Sequence, residues 1–265
     1  MHLHEPMIKQ YYYYLEGIVT RGDFGTSVKI RPGLDVFEIL STRIPATVVL
    51  NFFSLLISIP FGILFGTWAA LHRNKAIDNI ISFWIVVCIS VPSFVFASLL
   101  QYLLTYVWPI FPTVYTSQGD MWARFYSMIL PIIALSLNPI ASIARYLRGE
   151  LIETLSSDFM LLARTKGLTR QEATYKHAFR NSLVPIANTI IPMITGIMGG
   201  SMVVEKMFAV NGMGGLLIDS VLGGDHFLTV ALLIFYSAIS LVTTLVVDIS
   251  YGLIDPRIRV GGGKA

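Results

Sequence analysis

Charge is what this sequence has least of. Asp, Glu, Lys and Arg make up 13% of its 265 residues, about half the roughly 25% of soluble domains. Hydrophobic residues reach 54% and the mean hydropathy is +0.68. Such a shortage excludes an ordinary soluble domain and marks a membrane protein. The net charge of +3 is small and points to no nucleic acid. Cysteine is almost absent. Cys88 stands alone inside an apolar run, which excludes a disulfide framework and a cysteine-based metal site. The first 45 residues hold no apolar stretch of signal-peptide type. The chain also lacks the G-x-x-x-x-G-K-[ST] phosphate loop, so an ATP site of that kind is excluded.

What is present is a series of long apolar runs. A bilayer core takes about 20 apolar residues in a helix. Five stretches qualify: Ala46–Leu71, Ile80–Val107, Phe125–Ala144, Leu183–Val204 and Phe227–Val247. None carries Asp, Glu, Lys or Arg in its interior. Pro60, Pro92, Pro131, Pro139, Pro185 and Pro192 fall inside them, as membrane helices tolerate where neighbours re-satisfy the backbone. Gly62/Gly66 and Gly196/Gly200 are small-xxx-small pairs suited to close helix packing.

Lys and Arg set the orientation. Segments 72–79, 145–182 and 248–265 carry twelve of them, whereas 108–124 and 205–226 carry only Arg124 and Lys206. The first group is therefore expected in the cytoplasm. Trp108, Tyr115 and Trp122 then form an outer aromatic belt. Residues 1–45 become an extracytoplasmic segment with Tyr11–Tyr14 near the outer leaflet, 46–251 the membrane domain and 252–265 a cytoplasmic tail. An external N-terminus before an odd number of spans is uncommon, so a first spanning helix is expected ahead of Met1.

Between the third and fourth runs lies a charged island, 145–182. Asp158–Lys166 has the pattern of a short helix with Phe159 and Leu162 on one face, and Gly167 supplies its stop. Thr169 and Glu172 have capping-box spacing, so a second helix begins there. A bent pair of short helices with exposed apolar side chains suits docking into a partner's groove. The plainer reading is a charged surface loop, with Arg164, Lys166 and Arg170 as solvated cations.

Other groups weigh less. Glu205 and Lys206 read as interfacial anchors, and Asp248 as an interfacial structural group at the end of the last run. His2 and His4 raise nickel only weakly. An ion-coupled transporter usually places Asp, Glu or His near the midplane, and these runs offer none. A membrane enzyme needs a cluster of such groups on facing helices, which Cys88 alone does not make.

The stretch "ARTKGLTRQEATYKHAFRNSLVPI" (163–186) resembles the cytoplasmic coupling motif of ATP-binding-cassette (ABC) importer permeases of the oligopeptide/dipeptide/nickel type. The general motif's Glu-Ala-Ala-x-x-x-Gly frame falls on Leu161, Leu162, Ala163 and Gly167; the missing glutamate is a departure shared by the peptide branch. "GDFGTS" (22–27), "RIPATVVL" (43–50), "SVPSF" (90–94), "ARYLR" (144–148), "VVEKMFAVNGMGGLL" (203–217) and "VDISYGLIDPRIR" (247–259) also resemble that family, nearly end to end.

The resemblance implies an all-α polytopic permease of six spans, without catalytic residues, bound metal or bound cofactor. It would lie in a prokaryotic cell membrane and form a path for oligopeptides. A dipeptide or nickel-chelate importer is the alternative. Implied partners are a second permease, an external substrate-binding protein and two ATPase subunits that use ATP and Mg. ATPase coupling would rest on Asp158, Phe159, Ala163, Arg164, Lys166, Gly167, Leu168, Thr169 and Glu172, with Ala163 and Gly167 small so that the pair can bend and dock. Pro92, Glu205, Gly212 and Asp248 are candidates for structural or gating roles. Asp255–Arg259 can tie the tail to the membrane surface or to an ATPase partner.

Overall fold

Asp35 starts the longest helix. Its carboxylate accepts from the backbone N–H of Phe37 and Glu38 at 2.8 and 3.2 Å, a side-chain cap on donors that no helix can satisfy internally. The helix then runs from Val36 to Leu71 (α2), so it begins well before the apolar run predicted from Ala46. At 1.5 Å per residue it is about 54 Å long, more than the roughly 30 Å of a hydrocarbon core. The helix therefore extends beyond that core.

The computed structural model describes residues 4–254. His2 and Asp255–Arg259 lie outside them. Before α2 comes α1 (Met7–Arg21), and after it α3 (Ala76–Ser90), α4 (Ser93–Gln101) with a π-helical extension to Val107, and α5 (Met121–Leu155). Two short helices, α6 (Asp158–Thr165) and α7 (Arg170–Ala173), follow. A π turn then leads into α8 (Arg180–Thr195), and α9 (Met202–Met207), α10 (Met213–Gly223) and α11 (His226–Ile254) complete the fold. Among the described residues there is no strand, only an isolated bridge between Thr26 and Asp35.

Four helical stretches are long and apolar enough to cross a membrane: α2, α5, Arg170–Gly199 and His226–Ser250. The run at 80–107 is not the straight span predicted. Ala76–Ser90 and Ser93–Val107 meet at 102°. Pro92 is the cause: it disfavours a helical conformation at the residue before it, and Val91 sits extended at φ −92°, ψ 128°. Counted as one span, this bent pair brings the total to the five expected. The run predicted to end at Val204 instead stops at Gly199.

The bundle is organised on α5, where 56% of the most apolar window is buried, against 11% in α11. Gly62 and Gly66 make the closest approach. A Cβ on Gly62 would lie 2.7 Å from Cβ of Ile143, and one on Gly66 would lie 2.8 Å from the Ala144 carbonyl oxygen. This small-xxx-small pair packs α2 on α5 as expected. The pair Gly196/Gly200 does not: a Cβ on Gly196 meets nothing within 4 Å.

Three main clusters divide the core along α2. Val36, Ile39 and Leu40 pack with α10 and α11 at one end. Leu50 packs with Met128, Leu130, Val204 and Phe208 in the middle. Ala70 packs with Leu147, Leu151, Met160 and Ala173 at the other end. The charged island is thus part of the core at the Leu71 end.

Candidate functional site

Ser156 closes α5, and Asp158 opens α6. The end of α6 is a complete Schellman motif. The Leu168 N–H donates to the Ala163 carbonyl at 3.4 Å and the Gly167 N–H to the Arg164 carbonyl at 3.0 Å. Gly167 has φ +91°, a left-handed conformation that side chains disfavour. Leu168 and Ala163 join the same apolar cluster, the contact that usually accompanies this cap. Then Thr169 and Glu172 form the expected capping box: Thr169 N–H donates to Glu172 Oε2 at 3.0 Å, and Glu172 N–H to Thr169 Oγ1 at 3.3 Å.

This hairpin has two faces. Met160, Ala163 and Ala173 are buried against Leu147 and Leu151 of α5. Ala163 therefore faces the bundle, and its small size serves inward packing. Phe159, Leu161 and Leu162 are 43%, 62% and 54% exposed; Phe159 stands edge-on to His177 at 5.5 Å. Asp158, Arg164, Lys166, Arg170 and Glu172 are exposed beside them. An apolar patch rimmed by charge is the usual anatomy of a docking surface.

Glu205 is not an interfacial anchor. It is 0% exposed. Thr47 Oγ1 donates to its Oε1 at 3.0 Å, and the N–H groups of Gly214 and Gly215 donate to Oε2 at 2.8 and 3.2 Å. The Met213 N–H donates to Thr47 Oγ1 at 2.8 Å. The carboxylate and hydroxyl together cap α10, a helix start that favours negative charge. The room comes from glycine: a Cβ on Gly212 would lie 2.4 Å from Glu205 Oε2, and one on Gly200 the same distance from Oε1. Gly200, at φ +64°, thus ends a span and clears space for a carboxylate. Arg43 donates to Asn211 Oδ1 at 2.9 Å, so "RIPAT" grips "NGMGG" at two points. Lys206 pairs with Asp219.

Two further constellations had no sequence-based expectation. Asp225 accepts from the Ser27 hydroxyl at 2.5 Å and from the N–H groups of Val28, Lys29 and Ile30 at 3.0–3.1 Å. Burial pushes its carboxyl up, but these four donors outweigh burial and hold it at about 2. Arg148 makes a fork to Asp78, Nε to Oδ1 at 2.6 Å and Nη2 to Oδ2 at 2.9 Å. The Asn74 N–H adds a bond to Asp78 at 2.9 Å. The available signals were Ser27 in "GDFGTS" and Arg148 in "ARYLR"; local charge counting made Arg148 only one cation among many.

Of the other predicted residues, Pro92 sits at the break between α3 and α4. Asp248 is exposed near the end of α11, away from the Glu205 latch. Trp108 and Trp122 are exposed, whereas Tyr115 is half-buried and its N–H donates to the Phe208 carbonyl at 2.7 Å.

Comparison with known proteins gives a consistent result. Residues 62–260 match the family "Binding-protein-dependent transport system inner membrane component". The chain is 38% identical to the dipeptide transport system permease protein DppB of Lactococcus lactis, over 97% of this chain and 82% of that one. It is 35% identical to the oligopeptide transport system permease protein OppB of Haemophilus influenzae, with the same coverage. The MetNI methionine ABC transporter in inward-facing form superposes with a TM-score of 0.58 at 17% identity, over 81% of this chain and 97% of that one. An amino acid ABC transporter with histidines gives 0.57 at 17% identity, over 80% and 92%. These two likenesses concern the fold.

Proposed function

The chain belongs to the family of binding-protein-dependent transport inner membrane components, and from that premise we propose that it is the peptide-type permease half of an ABC importer. It works with a second permease, two ATPase subunits and an external substrate-binding protein. ATP and Mg are used on the ATPase subunits. Oligopeptide is the expected cargo, in keeping with relatives named for dipeptide and oligopeptide transport. The island and the C-terminus face the cytoplasm of a prokaryotic cell, as the positive-inside asymmetry requires.

The observation that carries this reading is the two-faced hairpin. Its inner residues are continuous with the core of α5, while Phe159, Leu161 and Leu162 point away from it. A partner that grips the outer face moves the spans through the inner one. Closure of the ATPase pair is then passed to α5 and α2, whose glycine-tight packing makes them move as one body. Gly167 and the capping box fix the angle between α6 and α7, so displacement is transmitted and not absorbed.

Co-purification from detergent tests this. Leu161→Asp changes an exposed side chain, so the permease should express and melt as wild type. It should lose the ATPase subunits by at least about tenfold, as expected for a desolvated anchor, and ATP-driven uptake of a labelled hexapeptide with them. Full ATPase retention by Leu161→Asp and Phe159→Asp together would sink the docking role. Uptake of a labelled dipeptide in preference to the hexapeptide would replace oligopeptide by dipeptide as cargo.

A further inference from the structure

Beside the hairpin, but not part of its exposed apolar face, lies a cavity of about 540 Å³. Arg73 and Lys75, in the turn after α2, and Arg170, at the start of α7, line it. Leu71, Ile152 and Leu155 supply apolar wall. No carboxylate is among its lining residues. Of the acids around it, Asp78 holds Arg148 and Glu172 closes its capping box. Glu153, between the lining residues Ile152 and Leu155 of α5, is exposed and does not line the cavity. Arg73, Lys75 and Arg170 form no ion pair among the described residues. Three cations around one cavity repel each other, and no ion pair among the described residues offsets that.

The depth of the cavity identifies the counter-charge. Arg73 and Lys75 follow directly on the last apolar turn of a membrane-spanning helix, at the level where hydrocarbon gives way to headgroups. A ligand there meets cations together with aliphatic wall, the chemistry that suits the phosphate and chain of a phospholipid. Basic pockets between spans at this level take anionic headgroups, and arginine suits phosphate through its planar fork. Phe159, Leu161 and Leu162 do not line the cavity, and of the charges that rim them only Arg170 does, so a protein on the apolar face of the hairpin leaves Arg73 and Lys75 free. We infer that this cavity binds the phosphate of an anionic membrane lipid, held by Arg73, Lys75 and Arg170.

The test is native mass spectrometry of the full chain, extracted from membranes in mild detergent with whatever subunits accompany it. Phosphatidylglycerol, phosphatidylcholine and free glycerol phosphate are the probes. Wild type should retain phosphatidylglycerol, hold phosphatidylcholine far less, and ignore glycerol phosphate at equal concentration. Each cation exchanged for glutamine should weaken retention roughly fivefold, and Arg73→Gln/Lys75→Gln/Arg170→Gln together about a hundredfold. Arg73→Lys/Arg170→Lys, which preserves charge, should keep most of it and control for misfolding. Equal retention by the triple variant would overturn the inference, as would equal binding of phosphatidylcholine. Displacement of lipid by glycerol phosphate would give the site to free phosphate instead. A triple variant that keeps its lipid but sheds the ATPase subunits would make the cavity a protein contact.

Discussion

The two ends of α2 solve opposite problems. At the Val36 end, carboxylates are buried and fully partnered: Glu205 and Asp225 are both 0% exposed. Each accepts from several backbone N–H groups, and each has a hydroxyl partner far away in sequence, Thr47 or Ser27. At the Leu71 end, the hairpin closes on itself through a Schellman cap and a capping box. It leaves aliphatic side chains and cations facing outward. A buried charge must find its partners within the chain; an exposed apolar patch gains by finding one elsewhere. One end is therefore built to hold its own elements together, and the other to be held.

If that contrast is right, the largest stability losses belong to the Val36 end. Glu205→Ala removes the acceptor for two buried N–H groups and the partner of Thr47. With each orphaned donor costing on the order of 1–3 kcal/mol, the loss should be about 4 kcal/mol in detergent unfolding. Glu205→Gln, which keeps an acceptor oxygen, should lose clearly less. Gly212→Ala should also destabilise, because its Cβ would fall 2.5 Å from Thr47 Oγ1 and force the latch apart. A melt unchanged by Glu205→Ala would abolish the comparison.

The Asp78–Arg148 fork is the exception that sharpens it, since it is a tertiary latch at the Leu71 end. Asp78 is 1% exposed, while the Arg148 side chain is 31% exposed, so water screens part of the pair. Arg148→Gln should cost about 2–3 kcal/mol, below the upper range for breaking a buried pair. A double-mutant cycle with Asp78→Asn should return a coupling above about 1 kcal/mol. A coupling near zero would mean that α3 is held on α5 by its apolar contacts alone.

What the sequence made legible follows from range. The Schellman glycine and the capping box involve residues no more than five apart, so Gly167, Thr169 and Glu172 could be placed without a structure. Apolar runs gave the spans because burial in lipid leaves a compositional mark at every position. The bend at Val91–Pro92 was missed because proline is tolerated in membrane helices, and only neighbours decide between a kink and a break. Glu205, a structural candidate by resemblance, was misread as an interfacial anchor for a different reason. Next to Lys206 it looks like half of a local charge pair, yet its partners lie at Thr47 and Gly214–Gly215. Gly196/Gly200 had the spacing of a packing motif, but Gly200 serves the backbone turn and the carboxylate beside it. Separations like that between residues 47 and 205 leave no local trace.

Acid should then loosen the Val36 end. Asp225 titrates at about 2 in the fold, below the ordinary carboxylate value of 3.8. A depressed folded value means stability that is fully present above about pH 4 and lost as pH falls towards 2. The full contribution is on the order of 2 kcal/mol. Hydrogen exchange on Val28, Lys29 and Ile30 should rise across that window, after allowance for intrinsic rates. Asp225→Asn should show the raised exchange already at neutral pH and lose the pH dependence. A wild-type profile flat from pH 5 to 2 would mean that these N–H groups are held by something other than the carboxylate.

The smallest of these stability losses should still be felt in transport. Thr169→Ala removes one side of an exposed capping box, worth about 1 kcal/mol, and leaves Met160, Ala163 and Ala173 packed as before. The melt should barely move. What changes is the start of α7, and with it the angle at which Phe159, Leu161 and Leu162 are offered to a partner. If the hairpin is a transmitter, Thr169→Ala should leave ATP hydrolysis by the assembled complex running while peptide uptake per ATP falls. Thr169→Ser, which keeps the hydroxyl, should restore the ratio. If uptake and hydrolysis fall together, the cap serves only to attach the partner. An unchanged ratio at full uptake would mean that the spans are driven through some other contact, with the angle between α6 and α7 of no consequence.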